Sequence, residues 1–484
     1  MIRPDTLIKV LILCMVLLSC AGKKDAKEYK DTYPSIFPDY VGVTIPSNIS
    51  PLNFGVKDAE CIQAEFSIGG KTVWVYKGKE CIDIPLKDWR NMVMQAVSSY
   101  MEVCVSVWTD SHSEGVSYKP FRIYVSGDKI DGYVAYRLIP PGYIGWNKME
   151  LAQRCLFSFS EKVLVSNLQN GGGCLNCHTP CKGSPSHYLF HSRGKMGGTI
   201  VARDGHLSKH DIGSSVTGRK AVYPAWHPDG RWVAFTTDDV HQSFYSHCRS
   251  KIEVYNRASD LLLYDTRSDR VVECMRFCDT VHVETMPTFS PDGRYLYFCT
   301  SPRLDMPYYA DSMRYSIVRV PFDPSTGHLG DKVDTVYNAR LRGGSASLPR
   351  ISPDGRWLLF SRADCGAFPI QHPEADLWLM ELGKGELRPC TILNSKESEA
   401  YHCWSSNGHW VIYASRRMNG RNTRLYIAWF NNGSFGKPFM LPQRNPFEEG
   451  CRRYSYNVPE FVTGEVETHP DAMARLLQGN VYGK

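Results

Sequence analysis

The sequence predicts an all-β chain in which an immunoglobulin- or fibronectin-like β-sandwich precedes a β-propeller. Three observations carry that prediction. Short runs of β-branched and aromatic residues recur across residues 41–138, a strand–turn–strand unit repeats four times between Tyr223 and Tyr413, and 484 residues are too many for one ordinary core. A hydrophobic content of 43% is enough to fill two cores. The net charge of +6 is dispersed, with no basic block long enough to follow a phosphate backbone, so nucleic acid is not an expected partner.

At the N-terminus, Arg3 and Lys9 lead an apolar run, interrupted only by Cys14, that ends at Leu17-Leu18-Ser19-Cys20. The run is too short to span a bilayer and reads as an export signal. It resembles a bacterial lipoprotein signal. The resemblance implies a signal at residues 1–20, lipidation of Cys20 and a place in the cell envelope, with Ala21 favouring the outer over the inner membrane. An ordinary signal peptide ending beside a coincidental cysteine would export the chain equally. Residues 21–40 lack periodicity and are expected to be a tether.

Strands for the sandwich (residues 41–138) are expected at 66–68, 72–76, 103–108, 121–125 and 133–138, with one helix over 86–99. Residues 139–183 form a connector containing Cys174-Leu175-Asn176-Cys177-His178, preceded by Gly171, Gly172 and Gly173. C-x-x-C-H is the attachment signature of c-type haem: two thiols reach the vinyl groups and the adjoining imidazole ligates iron. Cys174 and Cys177 would be the attachment residues and His178 the proximal ligand. His191 or Met196 is the candidate for the distal position, with His187 a third. Two alternatives stay open. Cys174, Cys177, Cys181 and one of His178, His187 or His191 could form a Cys3His zinc site, or Cys174 and Cys177 a disulfide. Apart from these two and Cys14 and Cys20, 13 cysteines remain, an odd number that leaves at least one unpaired; Cys104, Cys299 and Cys403 read as small buried hydrophobes.

The repeat is Trp226-His227-Pro228-Asp229-Gly230-Arg231-Trp232, Phe289-Ser290-Pro291-Asp292-Gly293-Arg294-Tyr295, Ile351-Ser352-Pro353-Asp354-Gly355-Arg356-Trp357 and a decayed Trp404-Ser405-Ser406-Asn407-Gly408-His409-Trp410. Proline fixes φ, the Asp or Asn closes the turn and glycine takes a positive φ, which is hairpin chemistry. Two further strands after each copy complete a four-stranded blade. The S-P-D-G pattern resembles the propeller repeats of TolB-like periplasmic proteins, which implies a propeller over residues 184–464. Five blades are expected, or six if part of the connector forms one. Residues 454–461 would close the ring as inner strand of the blade beginning at Ser184, and residues 465–484 would form a tail with a short helix.

Insertions recur after the second strand of three blades and would build one face bearing His241, Phe244, Tyr245, His247, Tyr308, Tyr309, Phe368 and His372. Two functions are compatible with these features. One is an envelope lipoprotein with a single haem c, in electron transfer or haem-linked sensing, docking a partner on the propeller. The other is a non-redox scaffold binding a protein, peptide or glycan, with the Cys/His motif structural. Catalysis is not expected, since Asp238, Asp239, Asp364 and Glu374 form no recognisable acid pair and neither G-x-S-x-G nor H-E-x-x-H occurs.

Overall fold

The computed structural model describes residues 25–140, 148–244, 252–468 and 470–479. The chain divides into two compact units. The predicted sites Cys20, Tyr245 and His247 lie outside the described residues.

The first unit holds residues 51–127 with the described parts of 1–43 and 442–451. Its strands join in one hydrogen-bonded sheet in the order Glu28–Lys30, His112–Tyr118, Ser99–Thr109, Cys61–Ile68, Lys71–Gly78, and Phe121–Ser126 also pairs with Ser99–Thr109. The facing second sheet of a sandwich is absent among the described residues. The helix Leu86–Ala96 packs on the sheet instead, burying Trp89, Met92, Val93 and Ala96 at the three- and four-residue spacing of one helical face. It starts where Pro85 fixes an extended φ, and Asp88 in the first turn accepts from the Tyr76 hydroxyl at 3.1 Å.

The second unit is a six-bladed propeller. Blade 1 is built from Tyr133–Ile139, Glu150–Cys155 and Glu161–Ser166, with Ser455–Val462 as its inner strand. Blades 2 to 6 start at inner strands Leu175–Pro180, Ala221–Trp226, His282–Phe289, Ser345–Ile351 and Glu399–Trp404. Two expectations are corrected here. Residues 133–138 belong to the propeller and not to the N-terminal unit, and the C-terminal strand pairs with Tyr133–Ile139, not with the blade beyond Ser184. That blade already has an inner strand, which is the Cys/His motif itself. Tyr136 and Tyr456 meet edge to face at 5.0 Å across the closure, both fully buried.

The repeated turns hold by one device. In blade 4, Gly293 N–H donates to the Ser290 carbonyl at 2.9 Å, Tyr295 N–H to Ser290 Oγ at 3.0 Å and Ser290 Oγ–H to Asp292 at 2.6 Å. Ser352 and Ser405 repeat these contacts in blades 5 and 6. The tail helix Pro470–Gln478 buries Met473 and Leu477 among Met149, Leu175 and Phe190, and Lys209 Nζ donates to the Leu477 carbonyl at 2.8 Å.

Candidate functional site

The six inner strands surround the propeller axis, and each breaks its ladder at the same place. Cys177, Tyr223, Met286, Leu348, Tyr401 and Val458 have positive φ between 49° and 56°, each within a register shift of its strand pair. This is a bulge with a left-handed residue, and it directs six side chains toward a common channel. The residue that follows has lost its ladder partner, so proline, which has no N–H to offer, is tolerated there. It is Pro224, Pro287, Pro349 and Pro459 in four blades, but His178 and His402 in blades 2 and 6.

The two histidines differ in their surroundings. His402 Nε2–H donates to the Leu359 carbonyl at 2.9 Å, and burial holds its pKa down at about 3. His178 is also buried, and burial together with the nearby Arg137 charge lowers its pKa to about 4. The ring lies near the backbone of Ala135 and Val458, yet neither nitrogen makes a hydrogen bond of normal geometry.

Fit to a haem can be tested on these residues. Two free thiols and an unpartnered neutral imidazole are the right donors. Their disposition is not right. Cys174 is packed in the core between blades 1 and 2, with its sulfur 3.9 Å from Met149 Sδ, whereas Cys177 opens on the channel. The channel cavity beside His178 is about 80 Å3, room for a few waters and not for a porphyrin. The residues in this arrangement do not seat a haem.

The other candidate ligands are engaged elsewhere. His191, opposite Asn176 in the ladder, is buried with Nδ1 3.1 Å from Thr199 Oγ1, and burial lowers its pKa to about 3. Met196 lies in the turn after that strand, where its carbonyl accepts from Ser192 Oγ at 3.4 Å. His187 meets the Trp226 ring edge to face at 4.6 Å. Cys181 belongs to a separate core with Leu189, Val201 and Trp226, so the Cys3His tetrad is not assembled; no group of three metal-ligating side chains occurs among the described residues. Cys174 and Cys177 are both free thiols, so they form no disulfide.

The insertions of blades 3 to 5 divide into exposed and buried parts. Phe244, Tyr308 and Tyr309 are 72%, 79% and 54% exposed, and His241 stacks on Tyr255 with Nε2 2.9 Å from Asp239. Phe368 and His372, expected on the surface, are buried. Phe368 joins Met306, Met313 and Tyr255 in a cluster packed on Met286, so these loops cap their half of the channel. His372 is held between Glu374, 3.1 Å from Nδ1, and Glu253, 3.2 Å from Nε2. On the opposite face, where the S-P-D-G turns converge, a wider depression of about 550 Å3 is lined by residues such as Lys182, Trp226, Phe289, Arg350 and Glu460.

Sheet order and the six equivalent bulges define the chain as a six-bladed propeller protein. No family model and no curated protein matches it. Among solved structures it is similar to prolyl oligopeptidase B from Galerina marginata, bound to a macrocyclization substrate, with 13% identity, a TM-score of 0.34 and 58% of this chain placed on 39% of that one. Hydrazine synthase from Kuenenia stuttgartiensis gives 13%, 0.27, and 51% on 74%. An endo-arabinase from Bacteroides thetaiotaomicron gives 11%, 0.27, and 53% on 89%. At these scores the likenesses add nothing on function.

Proposed function

We propose that this chain is an exported, lipid-anchored docking protein of the cell envelope, binding a protein or peptide partner on the insertion face of its propeller. The supporting observation is the exposure of Phe244, Tyr308 and Tyr309 on equivalent connections of adjacent blades. Large aromatic side chains at that level of exposure are the typical anchors of interfaces. The signal-like residues 1–20 supply the envelope address. Two experiments test the reading. Cys20→Ala should move the protein from the membrane to the soluble fraction. The triple variant Phe244→Ala, Tyr308→Ala, Tyr309→Ala should melt like wild type yet lose the partner cross-linked by wild type in envelope preparations; equal cross-linking by the two would refute the docking face.

A second reading keeps a haem c on Cys174 and Cys177, favoured by the imidazole of His178 with both nitrogens unpartnered. It requires the inner strand of blade 2 to open relative to this structure. Expression in a host that matures cytochromes c decides it: a covalent red band surviving denaturation supports haem, and colourless protein from a competent host removes it.

A further inference from the structure

Toward the insertion face, the described channel wall of blades 6, 1 and 2 carries arginine. Arg193 in blade 2 and Arg416 in blade 6 occupy one register position, two residues beyond the residues that pair with Asn176 and Ala400. Arg137 in blade 1 lies between them in the ring, paired with Asn457 just before the bulge at Val458. Three successive blades thus each contribute an arginine to this end of the channel, Arg137 two residues deeper than the other two. They converge on the same channel residues: Arg137 and Arg193 act on Cys177, Arg193 also on Tyr223, and Arg137 and Arg416 on Tyr401.

None of the three has an ion-pair or side-chain hydrogen-bond partner among the described residues, and Nε of Arg137 and of Arg416 is buried and unpartnered. Arg137 is 9% exposed. Elsewhere the fold pairs partly buried arginines with carboxylates, as Arg231 with Asp265 at 2.7 Å, Arg417 with Glu399 at 3.3 Å and Arg350 with Glu460. The carboxylates nearest the rim are few. Asp238 in blade 3 faces Arg193, with one oxygen bonded to Ser259 and the other buried without a partner, and Glu397 lies toward Arg416. A buried guanidinium without a partner is destabilising, and a fork of N–H donors matches carboxylate or phosphate oxygens.

We propose that Arg137, Arg193 and Arg416 form a binding site for a small, freely diffusing anion with two or more carboxylate or phosphate groups, entered from the insertion face. The site goes beyond the docking surface and does not depend on it. Its test uses the full chain, purified from a host with cytochrome c maturation and from one without, with citrate and pyrophosphate as probes in calorimetry and thermal melting. Colourless wild-type protein should bind citrate, and Arg137→Gln, Arg193→Gln and Arg416→Gln should each weaken it by about tenfold or more. The exposed Arg276→Gln, on the outer edge, should not. Without ligand Arg137→Gln and Arg416→Gln should melt at or above the wild-type temperature, because each removes a guanidinium whose buried Nε has no partner; either variant melting lower shows a structural role and overturns the proposal. So does wild-type protein that binds neither probe, or binding that survives all three substitutions. A haem-loaded preparation that no longer binds citrate assigns the arginines to the haem propionates and overturns the free-anion reading.

Discussion

The buried His372 makes stability depend on pH in the alkaline range. Burial alone would lower its pKa, but the hydrogen bonds to Glu253 and Glu374 more than offset this and raise it to about 9. In the unfolded chain the same group titrates at about 6.5. At 1.36 kcal/mol per unit the rise corresponds to about 3 kcal/mol favouring the folded state. Because the folded value is the higher one, this stabilisation is complete below about pH 6.5 and is lost as pH climbs through about 9. His372→Gln keeps a polar side chain in the site but cannot carry the charge. Denaturant unfolding of wild type and variant at several values between about pH 6 and pH 10 isolates the effect, since every other titrating group is common to both. The wild-type advantage should be largest at the acid end and shrink by about 3 kcal/mol at the alkaline end. A difference that stays constant across the range would show that the imidazole is not charged in the fold and would refute the argument.

Two further predictions concern other buried contacts. Burial raises Glu284 to about 8, and its second oxygen has no partner, so Glu284→Gln should stabilise the protein at about pH 8 by roughly a few kcal/mol and have little effect near pH 4; the wild type loses this stability as pH rises from about 4.5 to 8, and equal melting temperatures at both pH values would contradict it. Gly327 and Gly355 both have positive φ, +77° and +73°, but a Cβ at Gly327 would lie 2.3 Å from Trp232 whereas one at Gly355 meets nothing within 4 Å. Both alanine variants should lose about 1 kcal/mol of backbone preference, and Gly327→Ala about 1–3 kcal/mol more, measured by comparative unfolding.

Blades 3 to 6 were legible because each carries its hairpin turn and two flanking strands in one continuous stretch of sequence. Blade 1 was hidden because the chain enters the ring at its second strand and leaves at its inner strand, so the turn that marks the other blades is cut in two. One trace survives: Asp131-Gly132-Tyr133 retains the second half of the motif, and Asp131 accepts from Ser406 N–H at 2.8 Å. The arginine rim was not legible at all, since Arg137, Arg193 and Arg416 are brought to the same end of the channel by ring closure and by the register of three separate strand pairs. Phe368 and His372 are buried although loop length suggests exposure, and the clasp on His372 is visible only in three dimensions because one of its carboxylates, Glu253, is 119 residues away in sequence.

The Cys/His motif occupies a position that the whole ring shares. His178 follows a left-handed residue in the inner strand, and four of the other five blades place proline there. Cys177 has the same backbone conformation as Tyr223, Met286, Leu348 and Val458, each of which precedes a proline. The slot therefore accepts proline on backbone grounds, and His178 has no side-chain hydrogen bond to lose. His178→Pro should consequently change stability by less than about 1 kcal/mol, while His402→Pro, which gives up the bond to Leu359, should cost about 1 kcal/mol more. If His178 serves only the bulge, the variant protein melts and docks like wild type. If it ligates iron, the variant made in a cytochrome-maturing host has an altered axial spectrum although the propeller is intact. A large loss of stability in His178→Pro from colourless protein would contradict the equivalence of the six bulges, because it would mean that blade 2 needs an N–H where its neighbours need none.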